Sequence, residues 1–219
     1  MNTRKRYLNL FFNFLIVVLV LISIYLMITT SDGIIKGSKL KALKYFTVQS
    51  NIFMGISAFI SLFYLLFKKD KYPTWVTILK LISTTCLTLT FLTVLAYLAP
   101  LMGINMVFLG ANLYMHLFIP VVSIFTFIFI EPKVDLKFKW NFFSMIPSGT
   151  YGTIYIICLT VFNDFGNIDG WDWYAFGTYG LGVGFIMLIG LNLVALGSSI
   201  GLYLLYKKVR KGAVKKLES

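Results

Sequence analysis

Residues 4–30 read RKRYLNLFFNFLIVVLVLISIYLMITT, three bases followed by an apolar run broken only by Asn9, Asn13, Ser23 and closing threonines. A hydrocarbon core about 30 Å thick needs about 20 consecutive apolar residues in helical form. The stretch from 7 to 30 meets that length. A secretory leader shares the basic start, but this run is too long and lacks a small-residue cleavage site, so it reads as a retained membrane helix. The pattern recurs at 45 to 67, 74 to 99, 104 to 130, 141 to 162 and 174 to 206. The expected fold is therefore an all-α, polytopic membrane protein, a six-transmembrane-helix bundle forming one domain over 1–219, without linker or internal repeat.

Composition agrees. The 219 residues are 58% hydrophobic and 13% charged, against roughly a quarter charged in soluble domains, which excludes a water-soluble monomer. The net charge of +12 comes from short basic runs at the ends of apolar segments. Topology and anionic lipid headgroups explain them, and no nucleic-acid partner is expected. With the N-terminus inside, fifteen bases lie on the inner side and four, Lys36, Lys39, Lys41 and Lys44, on the outer side. The last outer loop, Asn163 to Trp173, carries Asp164, Asp169 and Asp172 and no base. The positive-inside rule selects N-in, C-in. Lys80, about two turns beyond Pro73, is expected to snorkel to the inner interface. Cys86 and Cys158 sit within apolar stretches and read as buried free thiols.

Ionisable groups inside a bilayer are costly, so His116 in the fourth span is the first candidate for chemistry. An interhelical hydrogen bond is its alternative role. Asn112 lies one turn before it and Pro120 one turn after, so the three share a helix face and Asn112 could orient the ring. The second span opens with Lys44-Tyr45-Phe46-Thr47-Val48-Gln49-Ser50-Asn51. Thr47, Ser50, Asn51, Ser57 and Ser61 fall near one face, which must meet protein or water. Gly180-x-x-x-Gly184 and Gly197-x-x-x-Gly201 in the sixth span read as packing devices, with Asn192 as an interhelical hydrogen-bonding group. Ser83, Thr84, Thr85, Thr88, Thr90 and Thr93 are expected to bond to the preceding helical turn. The three loop aspartates lack cation-site spacing and read as a solvated acidic loop. Trp171, Trp173 and Tyr174 read as an interfacial aromatic belt.

The Lys-Tyr-Phe-Thr start of the second span, the Asn112-x-x-x-His116-x-x-x-Pro120 of the fourth and the Gly170-Trp171-Asp172-Trp173-Tyr174-Ala175-Phe176 loop occur in an order that resembles the androgen-induced and androgen-dependent TFPI-regulating protein family, above all its bacterial six-span relatives. The loop departs from the family pattern in having no proline after the aromatic. The resemblance implies an intramembrane threonine hydrolase of fatty acid esters of hydroxy fatty acids, with Thr47 as nucleophile and His116 as base. Chemistry adds Asn112 as orienter and Gln49 or Asn51 as oxyanion donors, because developing negative charge needs preorganised N–H groups.

The expected partners are membrane lipids or a lipid-like ester, with a homo-oligomer through the sixth-span glycines as a further possibility. No cofactor or metal is expected. At 1.5 Å per residue, Thr47 lies near the outer boundary of its span and His116, nearer the middle of the fourth, about 10 Å deeper; tilt, or a fourth span beginning nearer Gly110, would close that gap. The competing readings are a small transporter, channel or lipid-binding protein, and a structural subunit. The spans offer no evident charge pair, which weighs against transport. Abundant Lys, Ile, Phe and Asn suggest a bacterial gene and the bacterial cytoplasmic membrane.

Overall fold

A computed structural model describes residues 3–29, 39–67, 72–168 and 170–215. All regular structure among them is helical. Six helices are long and apolar enough to cross a membrane: α1 (Thr3–Thr29), α2 (Phe46–Phe67), α3 (Thr74–Leu98), α4 (Ala111–Ile130), α5 (Trp140–Phe162) and α6 (Leu181–Arg210). α1 begins and α6 ends at what we call the terminal face; the opposite end, with the connections 98–111 and 163–180, is the loop face. Lys36 and Asp169 lie outside the described residues.

Two boundaries differ from expectation by seven residues, each for a backbone reason. The fourth span begins at Ala111 rather than 104, because Gly110 adopts φ 57°, ψ −130°, which a side chain disfavours. Residues Ile104–Val107 form only a short turn before it. The sixth span begins at Leu181 rather than 174. Gly180, at φ 93°, immediately precedes it. Apolar composition cannot distinguish a span from an apolar cap, and the glycines mark the difference.

Three π-helical turns interrupt the ladder, at Val94–Leu98, Tyr114–Phe118 and Thr126–Ile130. Each stands just before a proline, namely Pro100, Pro120 and Pro132. Proline has no N–H and its ring crowds the carbonyl four residues back, so the backbone there widens. The carbonyl that Pro132 leaves without its usual donor belongs to Ile128. Arg210 of α6 donates to it and, at 2.5 Å, to the Glu131 carbonyl.

α3 is central and packs against α2, α4 and α6, while α1 packs on α2 and α4, and α5 on α6. Ile16, Val20, Met54, Ala58, Leu87 and Ile119 join the first four helices in one core cluster. A Cβ at Gly55 would meet Val20 at 3.0 Å, so glycine there sets how closely α1 and α2 approach. The outward faces carry exposed Phe11, Phe14, Leu21, Phe59, Ile186 and Ile189, the surface a lipid-embedded bundle presents.

The sixth-span glycines divide. Gly184 lies 3.1 Å, by its would-be Cβ, from Ile156 and so serves helix packing, but Gly197 and Gly201 have nothing within 4 Å among the described residues. Asn192 accepts from Ser148 at 2.9 Å, the expected interhelical bond. Ser83, Thr85, Thr88 and Thr90 bond to carbonyls of the preceding turn, as their residue type suggests, whereas Thr84 Oγ1, expected to do the same, has no partner among the described residues. Cys86 is buried and Cys158 half-buried, both as free thiols.

Two expectations about charge are overturned. Lys80 does not snorkel. It is fully buried, donates to Asn13 Oδ1 at 2.9 Å, and lies 3.8 Å from Glu131 Oε1, a buried carboxylate at the end of α4. The bundle therefore does contain a charge pair. Nor are the loop aspartates simply solvated. Asp172 is fully buried, where it accepts from the Tyr155 hydroxyl and from the backbone N–H groups of Gly166 (2.7 Å) and Gly177 (3.0 Å). Asp164 accepts from the Trp171 N–H at 2.6 Å, and that bond, with one from Asn167, holds its carboxyl below the usual range. Replacing Asp172 with alanine leaves three donors without their acceptor, at about 1–3 kcal/mol for each that stays buried. The expected outcome is a lower unfolding temperature in detergent and faster proteolysis between Asn163 and Gly180.

Candidate active site

His116 sits in the π turn of α4, buried. Its Nδ1 lies 2.7 Å from the Val107 carbonyl oxygen. A carbonyl can only accept, so Nδ1 carries the proton and, in the neutral ring, Nε2 keeps its lone pair. The positive φ at Gly110 lets residues 104–107 turn back over the head of α4 and bring that carbonyl to the ring. The orienting contact thus comes from Val107. Asn112, also buried, lies one turn before the histidine, and the side-chain contact that fixes the ring is not its own. Nothing in a string of residue types marks a backbone carbonyl for this task, although Gly110 was a visible hint of a turn.

Thr47 is the second residue of α2 and half-buried. Its carbonyl accepts from Ser50 Oγ at 3.0 Å and Asn51 Nδ2 at 2.7 Å. The same Asn51 nitrogen donates to the Met115 carbonyl at 3.2 Å, which ties the Thr47 turn to the residue next to His116. Val48, Ala111 and Met115 share one buried cluster with Met27 and Ala42 around this tie. With α4 starting at Ala111, His116 lies five residues into its helix and Thr47 one residue into its own. At 1.5 Å per residue the difference in depth falls to about 6 Å.

Asn51 uses both of its amide hydrogens on carbonyls, so it has none left for an oxyanion. Gln49 donates one, to the Leu43 carbonyl at 2.9 Å, and retains the other. Ser50 bonds to Thr90 Oγ1 at 3.2 Å across to α3.

A cavity of about 520 Å³ opens beside this region, walled by Phe46, Gln49 and Ser50 of α2 and by Ile154 and Cys158 of α5, over Cys86 of α3. This volume is within the roughly 300–1,000 Å³ of small-molecule sites. The 163–180 loop roofs it: Tyr174 accepts the Phe46 N–H at 2.9 Å, and Trp173 Nε1 donates at 2.9 Å to Tyr151, whose own hydroxyl donates to the Lys44 carbonyl. Burial pushes the Tyr174 hydroxyl well above its ordinary range, so it stays neutral in this roof. Trp171 stacks on Phe162 with centroids 4.4 Å apart. Neither Thr47 nor His116 walls the cavity. Thr47 lies about 100° round the helix from Phe46, on the neighbouring face.

No family model matches the chain, and neither a curated protein nor a solved structure matches it.

Proposed function

We propose that the chain is an intramembrane hydrolase of lipid-like carboxylic esters, of the fatty acid ester of hydroxy fatty acid type, lying N-in and C-in in a bacterial cytoplasmic membrane. The observation that carries this reading is the His116 ring held by Val107 at Nδ1, which leaves Nε2 as a base on a helix tied through Asn51 to the Thr47 turn.

Nε2 takes the Thr47 hydroxyl proton as Oγ1 bonds to the ester carbonyl carbon. The tetrahedral oxyanion collapses, the bond to the alcohol oxygen breaks, and the imidazolium returns its proton to that oxygen. Water then attacks the acyl-threonine in the same way, giving the carboxylic acid and regenerating the Thr47 hydroxyl. Gln49 supplies an N–H toward the oxyanion. One chain of the ester occupies the cavity beside α2, with access from the membrane. This chemistry requires no metal or cofactor. Oligomerisation through Gly197 and Gly201, whose surroundings are open, fits the same picture.

The protein in detergent, treated with a fluorophosphonate carrying a long alkyl chain, is expected to gain one adduct, located at Thr47 by mass spectrometry and absent in His116→Ala. Labelling at another residue, or unchanged labelling without the histidine, refutes the assignment. A second reading, a small transporter, channel or lipid-binding protein, is favoured by one observation, the buried Lys80–Glu131 pair. Under it the probe finds no nucleophile.

A further inference from the structure

The half of the bundle nearest the terminal face contains polar chemistry that ester hydrolysis leaves unused. Lys80 Nζ donates to Asn13 Oδ1 at 2.9 Å, and Asn13 Nδ2 donates to the Asn9 carbonyl at 3.0 Å. On the other side of the pair, Tyr72 donates to Glu131 Oε2 at 3.1 Å and accepts from Ser61 at 2.6 Å. Asn9, Asn13, Ser61, Lys80 and Glu131 are all buried, drawn from α1, α2, α3 and the end of α4.

Two features set this cluster apart from a structural salt bridge. Lys80 and Glu131 stand 3.8 Å apart, beyond hydrogen-bond length, and Glu131 Oε1 has no hydrogen-bond partner among the described residues. Asn9 Nδ2 and Thr77 Oγ1 likewise lack partners, as do Ser57, Thr84 and Ser123 along the same buried seam. Donors and acceptors are both represented, and a buried polar group left unsatisfied is costly. A bridging water is the kind of group that can serve both donors and acceptors across a polar gap wider than about 3.5 Å. A loose buried ion pair is also a poor device for stability, since its desolvation offsets its attraction. Charges kept inside a membrane bundle commonly mark ion or proton paths.

We propose that Lys80 and Glu131 form a hydrated proton-exchange site, reached from the terminal face past Tyr72. A proton from the aqueous phase, carried by water, adds to the Glu131 carboxylate to give the carboxylic acid, and leaves by the same route. No other bond changes, and the site's net charge rises by one on uptake.

The surrounding groups are consistent with this exchange. α1 presents Asn9 and Asn13, α2 Met54, Ser57 and Ser61, and α3 Thr77 and Ser83. From α6 come Tyr206 and Arg210, the latter fixed on the Ile128 and Glu131 carbonyls. The nearby Asp135 is exposed and pairs with Lys207 at 2.9 Å, so Glu131 is the buried carboxylate among the described residues here. Burial and the Glu131 carboxylate push the Tyr72 hydroxyl well above its ordinary range, which keeps it a donor.

Infrared difference spectroscopy on the full chain in lipid nanodiscs, stepped in pH, tests the site. The expected result is a protonated-carboxyl band that grows as pH falls, shifts in D2O, and is missing in Glu131→Gln. Lys80→Met removes the neighbouring positive charge that favours the ionised carboxylate, so the band should be stronger than in the wild type at the same pH. Tyr72→Phe keeps the ring and the fold, removes one donor to the carboxylate, and should act in the same direction more weakly. The proposal fails if Tyr72→Phe leaves the band unmoved, if the band survives in Glu131→Gln, if it titrates without a deuterium shift, or if no variant shows it while circular dichroism reports intact helices. Because the readout is spectroscopic, it stands or falls independently of esterase activity.

Discussion

His116→Ala is expected to lower hydrolysis of a long-chain ester by about 10²–10⁴-fold, the usual contribution of a positioned general base, with helix content unchanged. Thr47→Ala should remove acyl-enzyme turnover to at least the same extent, and the double variant should be no worse than the more damaging single one, because nucleophile and base act as a unit. The measurement is esterase activity of purified protein in detergent. Folded variants that hydrolyse at the wild-type rate would remove both residues from the mechanism. Gly110→Ala separates orientation from chemistry. It keeps Thr47 and His116 but imposes about 1–3 kcal/mol of backbone strain on the turn that presents the Val107 carbonyl to Nδ1. Its activity should fall mainly in kcat, and should recover in Gly110→Asn more than in Gly110→Val, because asparagine tolerates positive φ better than a β-branched residue. Equal activity in all three would mean that the Val107 contact does not set the catalytic geometry.

The parts of the structure that are legible in the sequence follow from length and hydropathy. Six apolar segments of this length, separated by short connections, can do little other than span a bilayer, and Phe46–Phe67, Thr74–Leu98 and Trp140–Phe162 fall within a residue or so of where those properties place them. The shortfalls occur where apolar sequence is used for something else. Residues 104–110 and 174–180 are apolar enough to extend a span, yet Gly110 and Gly180 adopt positive φ and convert them into caps over the loop face.

The site was half legible for the same kind of reason. An intramembrane histidine stands out by residue type, whereas the group that orients it is a main-chain carbonyl, and every residue has one. Asn51 stood out as an amide near Thr47, but only its bonds to the Thr47 and Met115 carbonyls show that it fastens α2 to α4. Asp172 looked like loop charge until its burial against Tyr155 and two glycine N–H groups made it the centre of that loop. Lys80 sits two turns into a span, a depth compatible with either snorkelling or burial. Its partner lies 51 positions along the chain, beyond the reach of any periodicity.

That pair carries the other large expected effect. Glu131→Ala leaves the Lys80 ammonium with Asn13 and the Met54 sulfur at 3.6 Å as its remaining neighbours, and Lys80→Met leaves the carboxylate with Tyr72. Removing one partner of a buried pair typically costs about 3–5 kcal/mol, most of it the penalty of the charge left behind. Either single variant is therefore expected to unfold at markedly lower temperature in detergent. The double variant Lys80→Met, Glu131→Gln removes both charges, keeps a hydrogen-bonding side chain opposite Tyr72, and should regain most of the loss. Thermal unfolding of the four proteins forms a double-mutant cycle whose coupling energy measures the interaction directly. A coupling near zero with mild single effects would mean that each charge is solvated separately. A large coupling with recovery in the double variant would show that the bundle tolerates the pair without depending on it for stability. Its presence in so apolar a chain then calls for a reason other than folding, since methionine and glutamine would hold the same helices together.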